Sequence, residues 1–284
     1  MDTGRYTFIL SFPPNYTADL LAGRRPQVQL LVDATAMSQA GKGTGYLQEI
    51  IRRENAEYLK DYAPAVLPFE PQINILFNPN LKTEWFMPVS QIVGNAALMA
   101  MILAGAAVIR ERERGTIEHL LVMPVGAGEI VLAKITANVL IILTASTLSL
   151  YFIVHQAVGA PINGSLALFV ACNAVFLSAM AGLGIFLATC APTMPQFSLL
   201  CIIVYIAINL VSGSASPLSH LPAVMRQISQ LSPLTQFTAI GQAVVFRGAG
   251  WQVIWPHVAA TAFSGLAFTA LAVARFRQML ARQG

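Results

Sequence analysis

The residues in this chain whose types could do chemistry are a lysine between glycines, four histidines, three cysteines and one run of alternating charges. Gly41-Lys42-Gly43 superficially looks like a phosphate loop. A working loop needs Gly, four residues, then Gly-Lys-Ser/Thr, so that backbone N–H groups and a hydroxyl surround phosphate and magnesium. Here Gly43 follows the lysine, and Ala36 stands where the first glycine is required. The stretch reads as a flexible turn before a helix. No other phosphate loop occurs, so the chain is not expected to hydrolyse ATP by itself. His119, His155, His220 and His257 are scattered over different segments and read as interface residues, not as a metal site or proton relay. Cys172, Cys190 and Cys201 fall in or beside apolar runs and show neither metal spacing nor a disulfide framework. They read as small apolar core residues.

The informative stretch runs from Arg110 through Glu111, Arg112, Glu113, Arg114, Gly115, Thr116, Ile117 and Glu118 to His119, Leu120, Leu121 and Pro124. Charges of both signs lead to Gly115. Thr116 is a candidate N-cap, with Glu118 in the first turn behind it. Ile117, Leu120 and Leu121 have i, i+3, i+4 spacing and so share one helical face. Pro124 ends the element. The spacing is compatible with a solvated loop of alternating charge. It is also compatible with a short amphipathic helix, about 111–124, that a partner can grip.

The elements around this stretch are set by composition. The chain is 56% hydrophobic and 11% charged, against about 25% charged in a soluble domain. Most acidic residues lie before position 85, and Ile135 to Met225 contains no Asp, Glu, Lys or Arg. A charge at the bilayer centre costs about 2.5–3.5 kcal/mol on insertion scales. A charge-free run of that length, broken by turn residues, therefore reads as several membrane spans. The fold class expected is a polytopic α-helical membrane protein with an N-terminal α/β domain. In residues 1–84, strand-like runs at Tyr6–Phe12, Val28–Val32 and Ile73–Phe77 alternate with helix-like runs at Asn15–Ala22 and Gly45–Tyr62. That order predicts some parallel pairing. In the second helix, Leu47, Ile50, Ile51 and Leu59 lie on one side. In residues 85–284, five apolar segments run about Phe86–Ile109, Ile135–Ala157, Leu166–Thr189, Phe197–Val211 and Val253–Ala274. Most reach the roughly 20 residues needed to cross the hydrocarbon core. The fourth is short unless Ser212 to Ser216 extends it. Gly182 and Gly184 are compatible with close helix packing.

Lys and Arg in the short flanks set orientation. Arg110, Arg112, Arg114 and Lys134, the Pro192 turn and the tail with Arg275, Arg277 and Arg282 fall on one side. The loops His155–Ser165 and Ser214–Gly250, with only Arg226 and Arg247, fall on the other. The first side is then cytoplasmic, the α/β domain external and the C-terminus internal. The net charge of +4 follows this membrane topology, and no nucleic-acid partner is expected. An external N-terminal domain needs something to carry it across. Residues 1–30 lack a basic region followed by an apolar one. The expectation is that a first helix of a six-span protein is missing, by truncation or by a misassigned start, which leaves the N-terminal domain partial.

The charged stretch resembles the coupling region of ABC-2 type permeases. There an arginine- and glutamate-rich segment runs into Gly-Thr-Ile-Glu, a Leu-Leu pair and a proline, followed by Glu and Lys, here Glu129 and Lys134. Leu221-Pro222, Met225, Ile228, Leu231 and Ser232-Pro233-Leu234-Thr235 resemble the family's outer loop. Phe12-Pro13-Pro14, Leu20-Leu21-Ala22-Gly23 and Val32-Asp33-Ala34-Thr35 resemble the extracytoplasmic domain of its bacterial drug-export subgroup. The likeness covers nearly the whole chain.

The resemblance implies a permease subunit of an exporter in the bacterial inner membrane. ATP and magnesium would be held by a separate ABC ATPase subunit, and no cofactor by this chain. It implies a dimer with a second copy or a paralogue, and a periplasmic adaptor with an outer-membrane channel. ATPase coupling is implied for Glu111 to Glu118, Leu120, Leu121, Pro124, Glu129 and Lys134. Asn138, Asn173 and Asn209 offer uncharged polar surface in the spans and no charge that selects an ionic cargo, which fits drug-like amphiphiles, with lipids or a small natural product as alternatives. Two rival readings are a non-transporting sensor or scaffold with an external ligand-binding domain, and an ion-coupled secondary transporter. The second is disfavoured because such proteins use intramembrane carboxylates.

Overall fold

The computed structural model describes residues 8–22, 28–33, part of 43–57, 72–76, 83–116, 124–159, 162–212 and 222–281. The chain divides into two compact units, Met1–Phe86 and Met87–Gly284.

In the first unit β1 (Phe8–Ser11), α1 (Tyr16–Leu21), β2 (Gln29–Asp33) and β3 (Gln72–Leu76) follow in order. The sheet is mixed: β1 pairs antiparallel with β2, and β2 pairs parallel with β3, Leu30 opposite Ile73. Alternation in β2 buries Leu30 and Val32, as a strand with one covered face requires. Described residues between 43 and 57 are helical, and Ile51 packs with Val28 and Tyr16. Ile50, expected on that buried side, is instead exposed. The two residues are 100° apart on a helix, and a small sheet covers only a narrow stripe.

The second unit is a helical bundle. α2 spans Thr83–Glu113, and α3 spans Ala127–Ser149 and continues as a π-helical stretch over Leu150–Ala157. α4 is Leu166–Cys190 and α5 is Met194–Leu210. α6 is Ala223–Gln230, and α7 is Pro233–Gly241, continuing as a π-helical turn over Gln242–Phe246. α8 is Trp251–Ala281. Four of these helices are long and apolar enough to cross a membrane: Pro88–Glu113, Ala127–Ala157, Leu166–Cys190 and Trp251–Ala281. The fourth apolar segment, in α5, has 17 helical residues, about 25 Å at 1.5 Å per residue. That is shorter than the roughly 30 Å hydrocarbon core.

α4 is the central helix. An added Cβ on Gly184 would run into the carbonyl oxygen of Met101 in α2, and one on Gly105 would sit 2.6 Å from the Gly184 carbonyl oxygen. α2 and α4 thus cross backbone to backbone. On the α8 side, an added Cβ on Gly182 would lie 2.9 Å from Thr269 Oγ1, and one on Gly265 3.0 Å from the Ala179 Cβ. Small residues let helices approach closely where lipid supplies no hydrophobic drive between them. The buried pair Asn173 and Ser146 ties α4 to α3, with Asn173 Nδ2 donating to Ser146 Oγ at 2.9 Å.

Three boundaries differ from the sequence expectation. α2 runs past Ile109 to Glu113, so Glu111, Arg112 and Glu113 belong to the long helix and not to a separate short helix beginning at about 111. α3 begins at Ala127, not Ile135, because Glu129 reaches back to the Gly126 N–H at 2.9 Å and starts the helix. The segment Ser214–Gly250, expected as an outer loop, holds α6 and α7, and α7 is buried. Leu234, Phe237 and Ile240 repeat at helical spacing, and Phe237 stacks on Phe176 of α4 with ring centres 4.4 Å apart. Asn163 holds the far end of this element. Its N–H donates to Val245 O at 2.9 Å and its Nδ2 to Phe246 O at 2.8 Å.

Candidate functional site: the charged end of the helical bundle

The expected site residues divide into those with described positions and those without. Ile117, Glu118, Leu120 and Leu121, together with the amphipathic helix expected of them, lie outside the described residues. Glu111 to Thr116, Pro124, Glu129 and Lys134 are described.

Gly115 ends α2. Its φ is +70°, a left-handed conformation that glycine adopts without a Cβ penalty. The Gly115 N–H bonds Arg112 O at 3.2 Å, and the Thr116 N–H bonds Glu111 O at 3.0 Å. These are the two bonds of a Schellman motif, which satisfies carbonyls that a helix end leaves free. Thr116, expected to cap a following helix, closes the preceding one. Its Oγ1 also donates to Glu111 O, at 3.1 Å. An N-cap signature and a C-cap position both favour small polar residues beside glycine, so the sequence alone does not separate them.

The three acidic and basic residues at this end of α2 reach four different helices. Glu111 Oε1 pairs with Lys134 Nζ in the second turn of α3. Arg112 Nη2 donates to the carbonyl of Ala191, the C-cap of α4, and its Nη1 lies 3.9 Å from Met279 Sδ in α8. Glu113 Oε1 accepts the N–H of Met194, the first residue of α5, at 2.8 Å. Thr193, the N-cap of α5, makes no side-chain cap bond of its own. Each contact has a local electrostatic reason. The C-terminus of a helix is negative and attracts a guanidinium; the N-terminus is positive and attracts a carboxylate. Successive residues on a helix point about 100° apart, so three in a row sweep enough arc to meet several neighbours.

Glu129 is occupied in starting α3, as described above. Pro124 is exposed and lies two residues before the Gly126 cap. Arg114 is exposed at the C-cap of α2. The structure therefore gathers Glu111, Arg112, Glu113 and Lys134 with the Pro192 turn and the end of α8 at one end of the bundle. Sequence reasoning missed that Ala191, Met194 and Met279 belong to this cluster. They contribute backbone groups or a thioether, which carry no charge signal.

The polar residues expected to face cargo are engaged internally. Asn173 holds Ser146, Asn138 Nδ2 donates to Lys134 O at 2.8 Å, and Asn209 Nδ2 donates to Tyr205 Oη at 3.3 Å. Asn173 is buried and Asn138 and Asn209 are half-buried, and amides away from water need such partners. Cys172 and Cys201 are buried, as expected of core residues, whereas Cys190 is exposed at the end of α4. His257 Nδ1 lies 2.6 Å from Gln236 Oε1 of α7.

Residues 1–274 match the family described as ABC-2 family transporter protein. The chain is 42% identical over 281 residues to the inner membrane transport permease YhhJ of Escherichia coli strain K12, covering 99% of this chain and 75% of that protein. It is 27% identical over 275 residues to YbhR of the same organism, named a probable multidrug ABC transporter permease, covering 95% of this chain and 74% of that one. A third relative, YbhS, carries the same description and is 24% identical over 260 residues, covering 87% and 66%.

Proposed function

The chain belongs to the ABC-2 family of transporter proteins, and from that premise we propose how this permease subunit of an ABC exporter works. ATP is bound and hydrolysed on a separate ATPase subunit, with magnesium. Closure of the ATPases pushes on the segment between α2 and α3, and the spans rearrange. Cargo leaves the cytoplasm or inner membrane along a path between two permeases, either copies or paralogues. A nucleotide can drive this only because the two states bind it differently. The observation that carries the reading is the family match over nearly the whole chain, joined to a charged, capped turn at the end of a membrane-length helix.

Within this reading the coupling surface comprises Glu111 to Glu118, Leu120, Leu121 and Pro124, with Glu129 and Lys134 behind it. The apolar residues are its anchor, with Arg114 and Glu118 at its rim. The charged end of the bundle is cytoplasmic, α5 is a fifth crossing that thins the bilayer locally, and lipid covers its exposed Leu199, Ile202, Ile203 and Ile206. The first unit is an extracytoplasmic α/β domain, placed to meet a periplasmic adaptor and, through it, an outer-membrane channel. The cargo is a drug-like amphiphile: YbhR is named a multidrug permease, and the spans offer apolar surface without a selecting charge.

The functional test is capture and turnover. The tagged permease should co-purify with a phosphate-loop ATPase of its host, and ATP turnover should appear in the complex and not in the permease alone. ATP turnover by permease freed of that ATPase, or no capture at all, would sink the reading. Orientation has its own check. In a background without the three native cysteines, an impermeant thiol reagent on intact cells should label Leu231→Cys and spare Arg114→Cys. The reverse pattern would invert the topology.

A further inference from the structure

We propose that Glu111, Arg112 and Glu113 are not docking contacts for the ATPase but a strut that ties the ends of four other helices to the end of α2. This rests on the coupling reading above and divides its residues into two jobs. The segment after Gly115 receives the push; the three residues before it distribute the push. The geometry assigns this division. A docking residue must leave its polar atoms for the partner. Here Glu111 spends Oε1 on Lys134 of α3, Arg112 spends Nη2 on the Ala191 carbonyl of α4 and Nη1 beside Met279 of α8, and Glu113 spends Oε1 on the Met194 N–H of α5. Between them, α3, α4, α5 and α8 are each reached from one turn of α2.

The signs of the charges are matched to what they hold. α4 ends and α5 begins within the turn Ala191–Thr193. That turn presents a negative helix terminus and a positive one side by side. Arg112 sits on the first and Glu113 on the second. Their order is fixed by backbone polarity and cannot be exchanged. The Glu111–Lys134 contact is different: it joins two side chains, and a pair of side chains works with either sign order. The strut hypothesis therefore separates two rearrangements that conserve composition and net charge. E111K/K134E rebuilds its ion pair. R112E/E113R puts a carboxylate on carbonyls and a guanidinium on N–H groups.

The experiment uses the complete permease with its ATPase, in cells and in proteoliposomes. Three quantities are read: capture of the ATPase, ATP turnover of the complex relative to free ATPase, and efflux of the amphiphilic dye Hoechst 33342. R112E/E113R should keep parental capture. It should lose efflux per ATP hydrolysed by about tenfold or more, in line with the weight of hydrogen bonds to charged groups, and return turnover to the free-ATPase value. E111K and K134E should each lose coupling, and E111K/K134E should regain it. Thermal unfolding of each purified complex separates uncoupling from misfolding. If R112E/E113R does not fold, R112Q and E113Q carry the same expectation with smaller losses. Loss of capture in these variants would make the charges docking residues and overturn the strut. Parental coupling in R112E/E113R, or no recovery in E111K/K134E, would overturn it as well. Absence of capture by the parent protein would instead count against the coupling reading itself.

Discussion

Gly184→Val is expected to remove the folded permease from the membrane. The added side chain has nowhere to go. Its first carbon alone would meet the backbone of Met101, both at the carbonyl oxygen and at the Cα, which lies 2.6 Å away. A clash with a flexible side-chain end is relieved by rotation. A clash with the backbone of a 31-residue helix is relieved only by moving that helix. Overpacking a dense interior costs about 1–3 kcal/mol when neighbours can shift, and more when they cannot. Gly105 faces the same crossing from α2, and Phe197 of α5 closes over it, so any displacement propagates into a third helix. Gly250→Ala is the control, because an added carbon there meets nothing within 4 Å. The measurement is the amount and monodispersity of detergent-extracted protein and its unfolding temperature. A Gly184→Val protein that is monodisperse with the parental unfolding temperature would contradict the described crossing of α2 and α4.

That crossing also shows which parts of this protein are legible in its sequence. Gly182 and Gly184 stand in an apolar run where glycine has no turn to make, so close packing was the remaining use for them. The four long spans follow from hydropathy, a one-dimensional property. α7 was not legible because its sequence, Pro233-Leu-Thr-Gln-Phe-Thr-Ala-Ile-Gly241, mixes hydroxyl groups with apolar residues. Its burial is decided by Phe176 and by α8, both distant in sequence. The end of α2 failed for a related reason. Arg110 to Arg114 reads as a solvated loop when only its own charges are counted. It stays helical to Glu113, where Lys134, Ala191 and Met194, from 23 to 81 residues away, supply the partners. Local composition reported the charges correctly and could not report who held them. Thr116 shows the opposite case: its local signal was strong, and it fits either end of a helix, the described end being that of α2.

Leu121→Asp is expected to uncouple the exporter while leaving it in the membrane. Leu120 and Leu121 lie outside the described residues, so the expectation rests on spacing and on the family. Ile117, Leu120 and Leu121 fall on one helical face, and a Leu-Leu pair in this place is what the ABC-2 resemblance assigns to the ATPase contact. Apolar anchors at the centre of an interface carry most of its energy, while rim charges such as Arg114 and Glu118 contribute little singly. Removing most of one buried leucine, as in Leu120→Ala, costs about 2–5 kcal/mol where the site cannot collapse. Placing a carboxylate there adds the penalty of an unpaired buried charge, so Leu121→Asp should be the more severe of the two. Neither substitution changes a residue of the Schellman cap at Gly115 or of the start of α3 at Gly126, so insertion and span packing should survive. Co-purification of the ATPase and Hoechst 33342 efflux are measured together in the complete permease. Loss of both identifies a docking anchor. Loss of efflux with the ATPase still bound moves these leucines into transmission, beside the strut. Normal binding and normal efflux in both variants would mean that the ATPase grips this permease elsewhere, and that the likeness of this segment to its family does not extend to its role.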